Sequence, residues 1–242
     1  MRKSLLALVA VLACLDTGCV ASHRAADVPV AAAGPRSVYV AVGASETVGV
    51  GADNPIRQSW PQVLYRTALP AGTVFYDLGV SGSTVGEAVD QQLPEAIRLR
   101  PTIATVWLNV NDVAALERIG SYEATLRSLV HGLRNGGATA VFVANTPPIE
   151  ALPVVDRMGI PASLVRPIVD RYNAAIARVC ADEGATVVDL HAAGVARIAN
   201  GTFASLISGD GFHPSTAGHA AVAAVFAAAI RAASPHPKST TP

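Results

Sequence analysis

The sequence predicts an α/β fold: a single-domain, three-layer α/β/α sandwich built on a five-stranded parallel sheet. Three observations carry that expectation. Five short, Val-rich apolar runs alternate with longer stretches of helical periodicity, which is how βα units feed a parallel sheet. The runs show little polar alternation, as strands covered on both faces should. A chain of 242 residues that is 51% hydrophobic also has enough apolar surface for one sizeable core.

Taken in order, strands are expected over residues 37–42, 73–78, 103–108, 138–144 and 185–190. Helices are expected over 60–69, 84–99, 122–135 and 162–183, with a final Ala-rich helix over 216–233. Thr84-Val85-Gly86-Glu87 has capping-box spacing and marks a helix start. Pro94 should kink or divide that helix, because it lacks an N–H and crowds the preceding turn. Ser215 suits the N-cap of the last helix. The longest irregular stretch, residues 145–161, reads as a loop flanking a site.

The two ends of the chain read differently. Arg2 and Lys3 precede an uncharged apolar run over residues 5–15. That run is short of the about 20 residues a membrane-spanning helix needs and fits a secretory signal. Val11-Leu12-Ala13-Cys14 and Leu15-Asp16-Thr17-Gly18-Cys19 resemble the box of bacterial lipoprotein signals. Cys19 and Cys14 are therefore candidate lipid-attachment residues, with an ordinary cleaved signal as the other reading. Residues 1–19 are read as the signal, 20–36 as an Ala-, Pro- and Gly-rich tether, 37–233 as the folded domain and 234–242 as a polar, flexible tail. The expected location is extracytoplasmic, either secreted or anchored to a membrane through an N-terminal lipid. Cys180 is then the sole cysteine of the folded part, which excludes an intramolecular disulfide framework and suggests a buried, inert thiol.

Composition removes some classes of function. With 18 Lys+Arg against 18 Asp+Glu and 15% charged residues, the chain has no electrostatic footprint for nucleic acid. Only 5% of the residues are aromatic, so no stacking platform for bases or sugars is advertised.

In a parallel α/β sheet the ligand site lies at the carboxyl ends of the strands. Four polar segments fall there: Gly43-Ala44-Ser45-Glu46-Thr47, Asp77-Leu78-Gly79-Val80-Ser81-Gly82, Asn109-Val110-Asn111-Asp112 and Asp210-Gly211-Phe212-His213-Pro214. Singly, each has a structural explanation as a turn, a helix cap or a local hydrogen bond. Together they supply the parts of acyl transfer. A serine hydroxyl needs an adjacent base, an imidazole suits that task near neutral pH, and a carboxylate fixes the imidazole tautomer. Backbone N–H groups at a Gly turn and an Asn amide can hold the oxyanion. Ser45, His213, Asp210, Gly82 and Asn111 fill these roles.

These residues resemble the SGNH hydrolases of the GDSL esterase/lipase superfamily, over nearly all of the folded part. The resemblance implies a flavodoxin-like sheet and Ser45 as nucleophile, with Asp210 and His213 as its partners. It also implies an oxyanion hole from the backbone N–H groups of Ser45 and Gly82 and the Asn111 amide, with no cofactor and no metal. Trp60-Pro61 matches a recurring feature of the family, read as packing. Two departures stand out. Ala44 replaces the acid of Gly-Asp-Ser, and Asn109 stands where the third block has Gly, with an expected effect on the pocket wall or loop geometry.

Rival sites fit less well. Thr47 spoils a Gly-x-Ser-x-Gly elbow. Gly49-Val50-Gly51 leads to Asn54, which breaks dinucleotide spacing. The other histidines are scattered, and His219 is expected to be structural. The expected function is hydrolysis of carboxylic esters, of esterase/lipase type and extending to thioesters, on a small-molecule or glycan ester. The alternatives are a carbohydrate or peptidoglycan O-acetylesterase on the same site, or a noncatalytic envelope-binding module. Sequence sets no expectation for the oligomeric state.

Overall fold

A computed structural model describes residues 37–233. The signal, tether and tail, with Cys14, Cys19, His23 and His236, lie outside the described residues. The strands are β1 (Val38–Gly43), β2 (Val74–Asp77), β3 (Ile103–Trp107), β4 (Ala140–Ala144) and β5 (Thr186–Val188). They form one parallel sheet in the order β2-β1-β3-β4-β5, the doubly wound order whose switch point lies between β1 and β3.

Helices follow the strands in sequence. After β1 come α1 (Ser45–Val48), α2 (Pro55–Gln58) and α3 (Trp60–Ala68); after β2, α4 (Val85–Gln91) and α5 (Leu93–Leu99). After β3 come α6 (Val110–Ala114) and α7 (Ile119–Arg134); after β4, α8 (Pro153–Arg157) and α9 (Ala162–Glu183). After β5 come α10 (Leu190–Ala199) and α11 (Thr216–Ala233).

Alternating strand residues divide the core between the two faces of the sheet. Val40, Val42, Ala104, Val106, Val141 and Val143 are buried on one face with side chains of α4, α7 and α9, such as Val85, Leu126 and Ile176. Tyr39, Ala41, Phe142 and Ala144 are buried on the other, with Trp60 and Leu64 of α3 and Phe226 of α11. Trp60 stacks on Phe226 with ring centroids 4.3 Å apart, so the Trp-Pro pair is a packing feature. Cys180 is buried in the first face, and burial pushes its thiol up to about 12.

The local signals hold. Thr84 and Glu87 form the capping box of α4, and the helix expected over 84–99 divides at Gln92, two residues before Pro94. Ser215 Oγ accepts the Gly218 N–H at 3.2 Å, as an N-cap does. Three differences concern the site. The stretch 145–161 is not all irregular, because a 3₁₀ turn (Ile149–Ala151) and α8 occupy it. The last strand ends at Val188, and α10 begins at Leu190. Asp189 supplies the cause: its side chain accepts the Ala192 N–H at 2.9 Å and starts the helix. The helix expected from 122 begins a turn earlier, at Ile119.

Candidate active site

The site is assembled where chain segments leave the sheet. β1 ends at Gly43, and Ser45 opens the single turn α1 immediately beyond it. Ala44, in the place of the family's acid, is buried in the core. Its methyl packs where an acid would need its own partners.

The other half of the site is the turn Ser208–His213. Ser208 donates its N–H to His213 O at 2.8 Å, and Gly211 donates to Ser208 O at 2.9 Å. Gly51 makes room for this turn: it sits at φ +94°, and a Cβ there would lie 2.3 Å from Pro214 O. α8 braces the turn from the other side, with Val154 donating to Gly211 O at 3.0 Å and Arg157 hydrogen-bonding Asp210 O. The loop expected to flank the site therefore holds the turn that carries Asp210 and His213.

These two supports bring together residues 168 apart in sequence. His213 Nε2 lies 3.0 Å from Ser45 Oγ, and His213 Nδ1 lies 2.6 Å from Asp210 Oδ2. The second oxygen of Asp210 accepts from Ser208 Oγ at 2.7 Å, Phe212 N–H at 2.8 Å and His213 N–H at 3.0 Å. Partial burial opposes the Asp210 charge, but the hydrogen bonds from His213, Phe212 and Ser208 outweigh it and hold the carboxyl well below the usual range. An ionised carboxylate thus faces one imidazole nitrogen while the other faces the serine.

Gly82 and Asn111 are linked to each other through their neighbours. Gly82 takes φ +85° with open space where a Cβ would stand. Asn111 Nδ2 donates to Ser83 O at 2.9 Å, which leaves its second N–H for another acceptor.

No residue pattern announces what fastens this segment to the strand that leads into Ser45. Gln92, fully buried, accepts the Gly43 N–H at 2.9 Å and donates to Gly43 O at 3.0 Å and to Ser83 Oγ at 3.2 Å. One amide therefore holds both the residue two before Ser45 and the residue after Gly82. Asp112 does similar work nearby: both its carboxylate oxygens accept the Val85 N–H at 3.2 Å, and burial pushes its pKa up to about 6.

Asn109 does not line the pocket. Its side chain is buried and donates to Ala144 O at 3.1 Å, tying the end of β3 to the end of β4. His219 is structural as expected: it is buried, with Nδ1 accepting the Trp60 N–H at 3.3 Å and Nε2 donating to Val50 O at 3.0 Å. Among the described residues no cluster of His, Cys, Asp or Glu could hold a metal ion.

Glu46, the residue after Ser45, lines a cavity of ≈ 430 Å³ together with Pro147, Ile149, Leu152, Leu190, Phe203 and Val222 among others; Ser45, Gly82, Asn111 and His213 are not part of its wall. Its polar exceptions are Glu46, Arg197 and Asn200. The size is that of a small-molecule site. Glu46 is 6% exposed, with Oε2 3.4 Å from Ser45 Oγ.

A doubly wound sheet with Ser, His and Asp hydrogen-bonded in series at its edge defines the class: a serine ester hydrolase. The chain belongs to the GDSL-like lipase/acylhydrolase family, which matches residues 41–221, and so to the SGNH hydrolase superfamily. No curated protein matches it. Among solved structures it is similar to a catalytic mutant of an acetylxylan esterase from Geobacillus stearothermophilus, at 21% identity and TM-score 0.63, over 82% of this chain and 95% of that one. It is also similar to a psychrotrophic esterase from Pseudoalteromonas sp., at 15% identity and TM-score 0.62, over 81% of this chain and 97% of that one. At these identities the likeness is one of fold.

Proposed function

We propose that the protein is an extracytoplasmic carboxylic ester hydrolase working through Ser45, His213 and Asp210. The observation that carries this reading is the series Asp210 Oδ2–His213 Nδ1 at 2.6 Å and His213 Nε2–Ser45 Oγ at 3.0 Å. His213 Nε2 takes the Ser45 proton as Oγ attacks the acyl carbonyl. The tetrahedral oxyanion is held by the N–H groups of Ser45 and Gly82 and the free N–H of Asn111. His213 returns the proton to the leaving alkoxide or thiolate, leaving an acyl-enzyme. A water, deprotonated by His213, then releases the acid and restores Ser45. Asp210 holds the Nδ1–H tautomer and stabilises the imidazolium in both halves. Every proton moves between Ser45, His213, substrate and water, so no cofactor is required.

The apolar lining of the cavity supports an acyl chain longer than acetyl as the group bound there, ahead of a carbohydrate O-acetylesterase. Export is supported by Arg2, Lys3 and the apolar run that follows, and lipid anchoring by Cys19 or Cys14. Intact mass of protein made in a bacterial host tests the anchor: a diacylglyceryl adduct on Cys19 or Cys14 upholds it, and its absence removes it.

The mechanism is tested by steady-state hydrolysis of p-nitrophenyl acetate to palmitate. Ser45→Ala should lower kcat by about 10⁶-fold, leaving the residual catalysis that binding alone supplies. A Ser45→Ala enzyme as fast as the parent would refute it. A profile peaking at acetate would transfer the cavity to a smaller acyl group.

A further inference from the structure

The catalytic scheme leaves one buried acid without a task. Glu46 follows the nucleophile directly, is 6% exposed and lines the apolar cavity. Among the described residues its only side-chain hydrogen-bond partner is Ser45 Oγ, at 3.4 Å, beyond the usual O–H···O range. No Lys or Arg pairs with it among the described ion pairs. Ser45 Oγ meanwhile has its better partner in His213 Nε2, at 3.0 Å. A carboxyl buried this deeply and this poorly partnered is costly, because burial removes its water without replacing the hydrogen bonds. Polar groups of that kind at the wall of a ligand cavity fix the orientation of what binds there.

We propose that Glu46 is a specificity residue that hydrogen-bonds a hydroxyl on the acyl chain close to the scissile carbonyl, so that the enzyme prefers 2- or 3-hydroxyacyl esters to plain acyl esters. The proposal rests on the reading of Ser45 as nucleophile and of the cavity as the acyl pocket. Geometry limits where the hydroxyl lies. In an attack-ready complex the carbonyl carbon is about 3–3.5 Å from the nucleophilic oxygen. Glu46 Oε2 is 3.4 Å from that oxygen, and the same residue lines the cavity, which brings substituents on the first carbons beyond the carbonyl within its reach. The chemistry selects a hydroxyl over an ammonium. Burial raises the Glu46 pKa, with its own N–H, His213 and Ser45 offsetting only part of the effect. A carboxyl pushed toward its neutral form in an apolar wall pairs with a neutral hydroxyl at less cost than with an ammonium, which would bring a second charge out of water.

The test compares p-nitrophenyl octanoate with its 2-hydroxy, 3-hydroxy and 3-amino analogues on the full-length parent, Glu46→Gln and Glu46→Leu. Dividing each parent value of kcat/KM by that of Glu46→Leu removes the intrinsic reactivity of the ester. The parent should favour at least one hydroxyacyl ester by about tenfold after that correction, the worth of one hydrogen bond to a buried group. Glu46→Gln, nearly isosteric and still an acceptor, should keep part of the preference. Thermal melting of both variants checks that they are folded, and Glu46→Gln carries the test if Glu46→Leu is not. A preference that survives intact in Glu46→Gln and Glu46→Leu, equal rates on plain and hydroxylated esters, or a larger preference for the amino ester overturns the proposal. Ser45→Ala runs beside them. If it retains parental activity the underlying mechanism fails; if it is inactive while the preference is absent, only the role of Glu46 fails.

Discussion

Two carboxyl groups stand within reach of the Ser45–His213 pair, and their surroundings are opposite. Asp210 is partly exposed, accepts four hydrogen bonds and is held in its charged form well below the usual range. Glu46 is buried at an apolar wall, has one long side-chain hydrogen bond and is pushed toward its neutral form by burial. Proximity to Ser45 therefore does not decide what an acid does. The donors around it decide. The backbone of the Ser208–His213 turn is built to stabilise a permanent negative charge behind the imidazole, and nothing comparable is built around Glu46. The same contrast repeats a little further out, where Gln92 is a buried amide with its partners in place and Asp112 is a buried acid meeting a single N–H.

The largest effect that would break the comparison is at Asp210. Asp210→Asn keeps an oxygen for the turn N–H groups but removes the charge facing His213 Nδ1. kcat should fall by about 10⁴-fold with KM little changed, as expected when the imidazole tautomer is no longer fixed. A drop of less than tenfold would place Asp210 outside the reaction.

Gln92 should show a smaller effect of a different kind. It touches no substrate and acts by position, holding Gly43 against Ser83. Gln92→Leu removes the side-chain acceptor of the Gly43 N–H and the tie to Ser83, while Gly43 O keeps the Val80 N–H at 3.0 Å. Displacements of about 1 Å at a reacting group cost on the order of 10² in rate. kcat on octanoate should fall by about that factor while KM stays within about threefold, a split measured by steady-state kinetics. Loss of stability with parental kcat would mean that the amide only supports the fold.

The smallest effect is on stability and concerns Asp112. Its folded pKa, pushed up to about 6 by burial, lies above the ordinary carboxylate value. For an acid shifted upward, the stabilising contribution is full at pH below the unfolded value and is lost as pH rises through the folded one. Asp112→Asn cannot ionise. Relative to the parent, its stability should therefore improve steadily between pH 4 and 7 in urea unfolding. A difference that is flat over that range contradicts the shift.

The residue pattern carried much of the molecule and stopped at identifiable places. Four of the five strands lie within the expected runs and β1 passes its run by one residue, Gly43, because both faces are covered and the runs needed no alternation to betray them. α10 was hidden because Leu190 reads as the end of an apolar strand, although Asp189 three residues before Ala192 was the cap that marks the helix. Ser45, Asp210 and His213 were legible as residue types, and their mutual distances depend on a turn braced by Gly51 and α8 that no spacing announces. Gln92 was illegible for the opposite reason. It falls where Pro94 interrupts a helix, and a polar side chain at such a break is ordinarily exposed, whereas here it turns inward to the end of β1. Glu46 was in view beside Ser45, but sequence does not tell a buried acid from one on an exposed turn.

The proposed mechanism requires His213 and Asp210 to make Ser45 a nucleophile. Reaction with a fluorophosphonate, followed by intact mass and peptide mapping, reads it most directly. A single adduct on Ser45 is expected, with none in Ser45→Ala and labelling slowed by orders of magnitude in His213→Ala. An adduct on another residue, or labelling of Ser45 that does not depend on His213, would contradict it.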